Sequence, residues 1–302
     1  MIDRACVSIN NTCNLYCRYC NFRQTGVIVE EEGLTSEDIE TVIKNILDYA
    51  HKSGLPKFKL GIVGTGEPFL DFDKIYTAIN CAVRHDTMEI FAFYVITNGT
   101  LVDDKKLDFF YEHRKRVTLN FSLDGYEELH NYGKAAYKET LAGITLYEKC
   151  FKEKPVINCT VNRQTLIHRE AVLSWFEGMG FEKINFSELI DVDDDDLRIT
   201  HGEFLDFLRF VAGRGTIVFR QNRSKKKYDC RTYGQLCGVG RTNIFITKQG
   251  IYPCCRFYKK EEYRLSDFDE KLDTVEADMK RSLTPVNDGE CYFNRHILKE
   301  GF

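Results

Sequence analysis

Three cysteines, Cys13, Cys17 and Cys20, stand on one short stretch in the spacing C-x-x-x-C-x-x-C. That spacing offers three soft thiolates from a single loop, a donor set suited to an iron–sulfur cluster or to zinc. A closed zinc site needs a fourth ligand, and the next histidine along the chain is His51. Three thiolates on a four-iron cluster would leave one iron open to a chelating ligand. A zinc loop completed from elsewhere is the alternative. A second set, Cys230, Cys237, Cys254, Cys255 and Cys291, lies toward the end of the chain and has the same two readings. The remaining four of the twelve cysteines, Cys6, Cys81, Cys150 and Cys159, sit inside apolar patterns and read as core residues, since free cysteine packs as a small hydrophobe.

The elements that must position these groups alternate. Apolar runs predict strands at Ala5–Ile9, Phe58–Val63, Ile90–Ile96, Val117–Phe121, Val156–Val161 and Lys183–Phe186. Helical periodicity fills the gaps at Ser36–His51, Phe72–Arg84, Asp103–Glu112, Ala135–Lys149 and Arg169–Met179. Thr35 or Ser36 followed by acids marks a helix start, and Gly54 and Gly180 mark helix stops. Six strand–helix units predict an α/β fold with a parallel sheet, curved into a partial (β/α)6 barrel of TIM-like kind. In such folds chemistry gathers at the C-terminal strand ends. The cysteine loop follows strand one, Gly64-Thr65-Gly66-Glu67-Pro68 follows strand two, and Thr97-Asn98-Gly99 follows strand three. Ser122-Leu123-Asp124-Gly125 and Asn162-Arg163 end strands four and five. Read locally, these are also ordinary turns, caps and surface loops.

After Ile190 the pattern changes. An acidic run, Asp191–Asp196, is followed by a helix over Gly202–Val211, a basic stretch at Arg223–Lys227 and a hairpin with strands Thr242–Thr247 and Ile251–Tyr252. We therefore expect two domains, 1–190 and 191–302. With 42 Lys and Arg against 46 Asp and Glu, the net charge of −4 supplies no basic field for nucleic acid. No apolar run is long enough for a bilayer and the start lacks a signal peptide's pattern, so a cytoplasmic protein without a membrane partner is expected.

On Cys13, Cys17 and Cys20, with Tyr19 just before the third cysteine, the sequence resembles the radical S-adenosylmethionine (SAM) superfamily. Gly64-Thr65-Gly66-Glu67 resembles that family's G-G-E segment, with Thr65 in place of a glycine, and Ser122 and Asp124 resemble its fourth-strand segment. The resemblance implies a SAM-binding [4Fe–4S] cluster on the three cysteines. It implies contacts to SAM from Tyr19, Gly64, Thr65, Gly66, Glu67, Asn98, Ser122, Asp124 and Asn162. Where the family carries an arginine for the SAM carboxylate, Lys134 is the nearest basic residue. The later cysteines look like a SPASM or Twitch extension, which implies an auxiliary [4Fe–4S] cluster on Cys237, Cys254 and Cys291, with Cys230 as fourth ligand.

Tyr252-Pro253-Cys254-Cys255 is similar to a segment of radical SAM epimerases, both neomycin-epimerase-like and peptide-modifying. There the leftover thiol, here Cys255, returns a hydrogen atom to the substrate radical; Cys254 as donor with Cys255 as ligand is the converse assignment. The acidic run suggests a polycationic substrate such as an aminoglycoside, and no leader-binding segment precedes strand one, which disfavours a peptide. A peptide epimerase, a Twitch-type dehydrogenase and a non-catalytic zinc-binding module are the rival expectations. A flavodoxin- or ferredoxin-type reductant is implied by the resemblance alone.

Overall fold

The computed structural model describes residues 1–20, 22, 32–190, 192–219, 228–229, 236–284 and 291–293. Cys230, Asp191 and the basic stretch 223–227 lie outside the described residues. Six parallel strands run in sequence order through the sheet: β1 (Arg4–Val7), β2 (Phe58–Ile62), β3 (Phe91–Thr97), β4 (Val117–Ser122), β5 (Val156–Val161) and β6 (Lys183–Glu188). Between them come α1 (Ser36–Lys52), α2 (Phe72–His85), α3 (Asp104–Glu112), α4 (Glu127–Gly133), α5 (Tyr137–Phe151), α6 (Arg163–Ile167) and α7 (Arg169–Gly178). This is the expected α/β architecture.

Local chemistry explains the boundaries. Thr35 caps α1 by accepting from the Asp38 amide at 3.2 Å, while the Asp38 carboxylate accepts from the Thr35 amide at 2.8 Å. Gly54 and Gly180 have φ of +60° and +77°, the left-handed conformation that ends helices cheaply only at glycine. One expectation moves: the helix predicted from Ala135 starts at Tyr137, because Ala135 and Ala136 are themselves left-handed, at φ of +100° and +61°. The turn they form separates α5 from α4, a short helix that apolar periodicity does not reveal.

The sheet crosses the boundary expected at residue 190. After α8 (His201–Arg214), β7 (Val218–Phe219) pairs parallel to β6. A two-stranded parallel pair, β8 (Tyr228–Asp229) with β9 (Leu236–Cys237), follows. Then β10 (Asn243–Thr247) pairs parallel to β1, in register Cys6 to Phe245, and β11 (Gly250–Tyr252) pairs antiparallel to β10. The result is one nine-stranded sheet in the order β11-β10-β1-β2-β3-β4-β5-β6-β7. The C-terminal helix α9 (Leu272–Ser282) packs on α1.

The strands separate two environments. Leu119, Phe121, Ile157, Val161, Ile184 and Phe186 are buried in the main hydrophobic core. Alternate positions, among them Thr118, Asn120, Ser122, Asn158, Thr160, Asn185 and Ser187, line a cavity on the concave side. Cys6 corrects its sequence reading: it lines the cavity and meets the Tyr94 hydroxyl at 3.1 Å, because β1 alternates Arg4 and Cys6 inward with Ala5 and Val7 outward. Cys81 and Cys159 are buried, as expected of core thiols, and Cys159 also borders the cavity.

Candidate active site

The cavity has a volume of about 870 Å³. It brings together Cys13, Cys17, Tyr19, Cys20, Gly64, Gly66, Glu67, Asn98, Ser122 and Cys255, although they come from five separate segments of the chain. Cys254 does not line it, nor do Cys237 and Cys291. Thr65, Asp124 and Asn162 also stand outside its wall.

The cysteine loop is held from three sides. The Cys20 amide donates to the Cys17 carbonyl at 3.1 Å, and the Arg18 amide to the Gly133 carbonyl at 2.8 Å. Arg18 reaches the acidic run: its Nε donates to Asp194 at 2.6 Å and its Nη2 to Asp196 at 3.1 Å. Asp193 and Asp195 face Arg198, at 3.1 and 3.5 Å. Of the acids expected to draw a polycation, the four among the described residues are thus paired within the chain, and two of them anchor the cysteine loop. Tyr19 packs with Leu189, Val192 and Leu197 beneath that loop.

Beside it, the Gly64-Thr65-Gly66-Glu67 segment presses against the start of the loop. A Cβ on Gly64 would strike the Ser8 side chain, and one on Gly66 the Thr12 carbonyl and Asn10, so only glycine permits this approach. Thr65 turns away from the cavity. Its hydroxyl donates toward the Asn10 carbonyl at 2.8 Å and Asn11 Oδ1 at 2.6 Å, and it lies 2.9 Å from Ser8 Oγ. Glu67 accepts from Thr97 Oγ1 and the Asn98 amide, both at 2.7 Å, and from the Phe69 amide at 3.1 Å. Burial raises its pKa, against those three donors. Glu67 therefore ties strand end two to strand end three.

Asp124 is buried and engaged on both oxygens: Tyr19 donates to Oδ2, while Lys134 at 3.1 Å and the Thr160 amide at 2.9 Å donate to Oδ1. Asn162 caps α6, accepting from the Gln164 and Thr165 amides. Arg163 pairs with Glu203. These residues build the rim.

The donor set fits a cluster in its chemistry. Burial pushes the Cys17 thiol up to about 12, Lys134 draws it down, and Cys20 and Cys13 push it up again. The three sulfurs therefore feel one another, and a bound cation would relieve the cost of their thiolates. Among the described residues no three Cys, His, Asp or Glu side chains are gathered closely enough to chelate an ion as they stand. Of the later set, Cys237 is buried, Cys254 and Cys291 pack partly buried against the same core, and Cys237 influences Tyr292, beside Cys291. The Cys254 sulfur accepts from the Arg256 amide at 3.4 Å.

A parallel α/β sheet whose first strand ends in a three-thiol loop facing a hollow interior defines the class. The chain belongs to the radical SAM superfamily, whose match spans residues 7–176, more than half of the 302. It is a radical SAM enzyme, and membership implies one [4Fe–4S] cluster and SAM. Among curated relatives, an uncharacterized protein of Archaeoglobus fulgidus is 24% identical, over 96% of this chain and 71% of its own. The serine-type anaerobic sulfatase-maturating enzyme of Klebsiella aerogenes is 24% identical, over 87% and 68%. Among solved structures, anSMEcpe with bound AdoMet superposes with a TM-score of 0.76 at 20% identity, over 97% of this chain and 87% of that one. It is also solved with a Cp18Cys peptide. Streptococcus suis SuiB bound to the precursor peptide SuiA superposes at 0.68 with 14% identity, over 95% and 68%. At these identities the structural likeness establishes the fold.

The polar interior strand positions, Asn120, Asn158 and Asn185, are functional candidates that the motif reading missed. Their signal is present: V-T-L-N-F-S alternates apolar and polar in a strand of a parallel sheet. Strands covered on both faces read instead as continuous apolar runs. The alternation betrays a hollow on one side.

Proposed function

We propose that the chain epimerises a carbon centre in a peptide, with Cys255 as the hydrogen-atom donor. The observation that carries this reading is the position of the Cys255 thiol in the cavity wall that also holds Cys13, Cys17 and Cys20, while Cys254 stands outside it. In this reading Cys13, Cys17 and Cys20 hold the SAM-binding cluster, which when loaded supplies the 5′-deoxyadenosyl radical. Tyr19, Gly64, Gly66, Glu67, Asn98 and Ser122 border SAM. Cys237, Cys254 and Cys291, with Cys230, hold an auxiliary [4Fe–4S] cluster.

Inversion requires that a hydrogen leave one face of the carbon and another arrive on the opposite face. With SAM and its cluster bound, the first would pass to the 5′-deoxyadenosyl radical that they supply, giving 5′-deoxyadenosine. The carbon radical then takes the hydrogen of the Cys255 S–H bond. The thiyl radical left behind gains one electron, from a flavodoxin- or ferredoxin-type donor, and one proton from solvent. A peptide is preferred to an aminoglycoside because Asp193, Asp194, Asp195 and Asp196 are paired with Arg18 and Arg198, and because anSMEcpe and SuiB are both solved with peptides.

The test is turnover of substrate peptide in heavy water by the anaerobically reconstituted enzyme. The product should carry one deuterium at the inverted carbon. Cys255→Ala should still release 5′-deoxyadenosine and retain its iron and sulfide, yet lose epimerised product by roughly a hundredfold or more. Undiminished product from Cys255→Ala, or an unsaturated product without deuterium, sinks the reading.

A further inference from the structure

One buried side chain of the hollow stands without a partner. Asn120, in the middle of β4, lines the cavity, is 5% exposed, and its Oδ1 has no hydrogen-bond partner among the described residues. The sheet explains why. β4 turns Leu119 and Phe121 into the hydrophobic core, so Asn120 between them faces the hollow. Its register neighbours are Ile96 on β3 and Val156 on β5, which line the same cavity and carry no polar side-chain atom. The nearby amide of β5, Asn158, stands level with Ser122 instead and already accepts from Asn185 Nδ2 at 2.7 Å.

A buried amide oxygen without a donor is costly, and folded proteins keep such groups where a ligand will satisfy them. A buried water is a poor match, because it makes about three hydrogen bonds and the positions flanking Asn120 are apolar. The donor therefore belongs to whatever molecule the cavity takes in. Depth separates that molecule from SAM. Asn120 precedes Ser122 by two residues on the same face of β4, about 6–7 Å further from the rim. Ser122 borders SAM in the reading above, so Asn120 faces the space beneath it.

We infer that Asn120 is a substrate-binding residue whose Oδ1 accepts one backbone N–H of the peptide. A carboxamide suits a peptide backbone. It accepts on Oδ1 and donates from Nδ2, and an extended residue presents its own N–H and C=O along one edge. One such contact fixes the register of the chain in the hollow, and with it which carbon stands beneath SAM. The inference rests on the proposed reading only in taking a peptide as the substrate; it does not depend on hydrogen return by Cys255.

The test pairs ligand and protein changes. Full-length enzyme, reconstituted and loaded with SAM, is titrated by calorimetry with acetyl-Ala-Ala-Ala-Ala-amide and with analogues in which one N–H at a time becomes an ester oxygen. One ester should bind about tenfold or more weakly than the parent. In Asn120→Ala that ester and the parent should differ by less than about threefold, while SAM affinity is unchanged. Asn120→Leu, freed of an unsatisfied group, should unfold at a denaturant midpoint no lower than the unaltered enzyme. Esters that all bind like the parent, or a sensitive ester that stays sensitive in Asn120→Ala, overturn the inference alone. So does a lowered midpoint or failure to fold, which would make Asn120 structural, or a loss of SAM affinity, which would give its amide to SAM. A parent peptide that does not bind at all overturns the peptide reading together with it.

Discussion

Asp124 and His130 form a small buried device behind the cysteine loop. The Asp124 amide donates to His130 Nδ1 at 3.3 Å, which leaves Nε2 to carry the proton and donate to the Ala135 carbonyl at 3.2 Å. Burial, with Lys134 nearby, lowers the His130 pKa to about 4 from an ordinary 6.5. The folded protein thus holds a neutral imidazole where the unfolded chain binds a proton below 6.5. Between pH 6.5 and 4 the unfolded state binds more protons, so stability rises with pH and is lost as pH falls through that window. The slope approaches about 1.4 kcal/mol per pH unit for one such group. His130→Gln can accept from Asp124 and donate to Ala135 without titrating. Denaturant unfolding of both proteins at pH 7, 6, 5 and 4 should show a shallower decline in the variant. Identical slopes would mean that His130 is not the titrating group.

At the scale of elements, the strand ends act through loops that bond to one another. Thr65 stands where the family's segment has glycine, and its hydroxyl bridges the second loop to Asn10 and Asn11 of the first. Thr65→Val keeps the volume and removes the bridge, taking one buried donor from Asn11 Oδ1 and from the Asn10 carbonyl, which keeps only that of Ser8 Oγ at 3.0 Å. The expected loss is about 1–3 kcal/mol of unfolding free energy, read from the denaturation midpoint. A change within about 0.5 kcal/mol would contradict a bridging role. The strand–helix alternation, a helix start at Thr35 or Ser36 and the stops at Gly54 and Gly180 were legible in the sequence, because each depends on near neighbours along the chain. The late start of α5 was not, because Ala135 and Ala136 adopt a left-handed conformation against their own propensity, with the Ala135 carbonyl meeting His130 Nε2. Cys6 was misread for a related reason: an apolar-looking strand does not say which face meets the hollow. Arg18 and the acidic run could not be joined from sequence, since more than 170 positions separate them.

The molecule as a whole is knit across the position where a second domain was expected. β10 lies between β11 and β1, so the segment after residue 190 covers the edge of the strand that carries the cysteine loop. Phe245, Ile246 and Tyr252, each nearly fully buried, join the main core. The C-terminal part is also fastened to α1: Tyr49 Oη donates to Glu276 at 2.6 Å, Asn45 Nδ2 to the Asp269 carbonyl at 2.7 Å, and Lys248 meets Asp38 at 2.7 Å. Removing residues after 190 would expose the β1 edge and strip apolar cover from the sheet. The intact chain should therefore unfold in a single cooperative calorimetric transition. A fragment of residues 1–190 should lack that transition, bind a hydrophobic dye and fail to retain iron and sulfide on reconstitution. Two resolved transitions in the intact chain, or a fragment that melts cooperatively and takes up a cluster, would restore an independent first domain. In that case the C-terminal strands would serve only to carry Cys255 and Arg256 to the cavity.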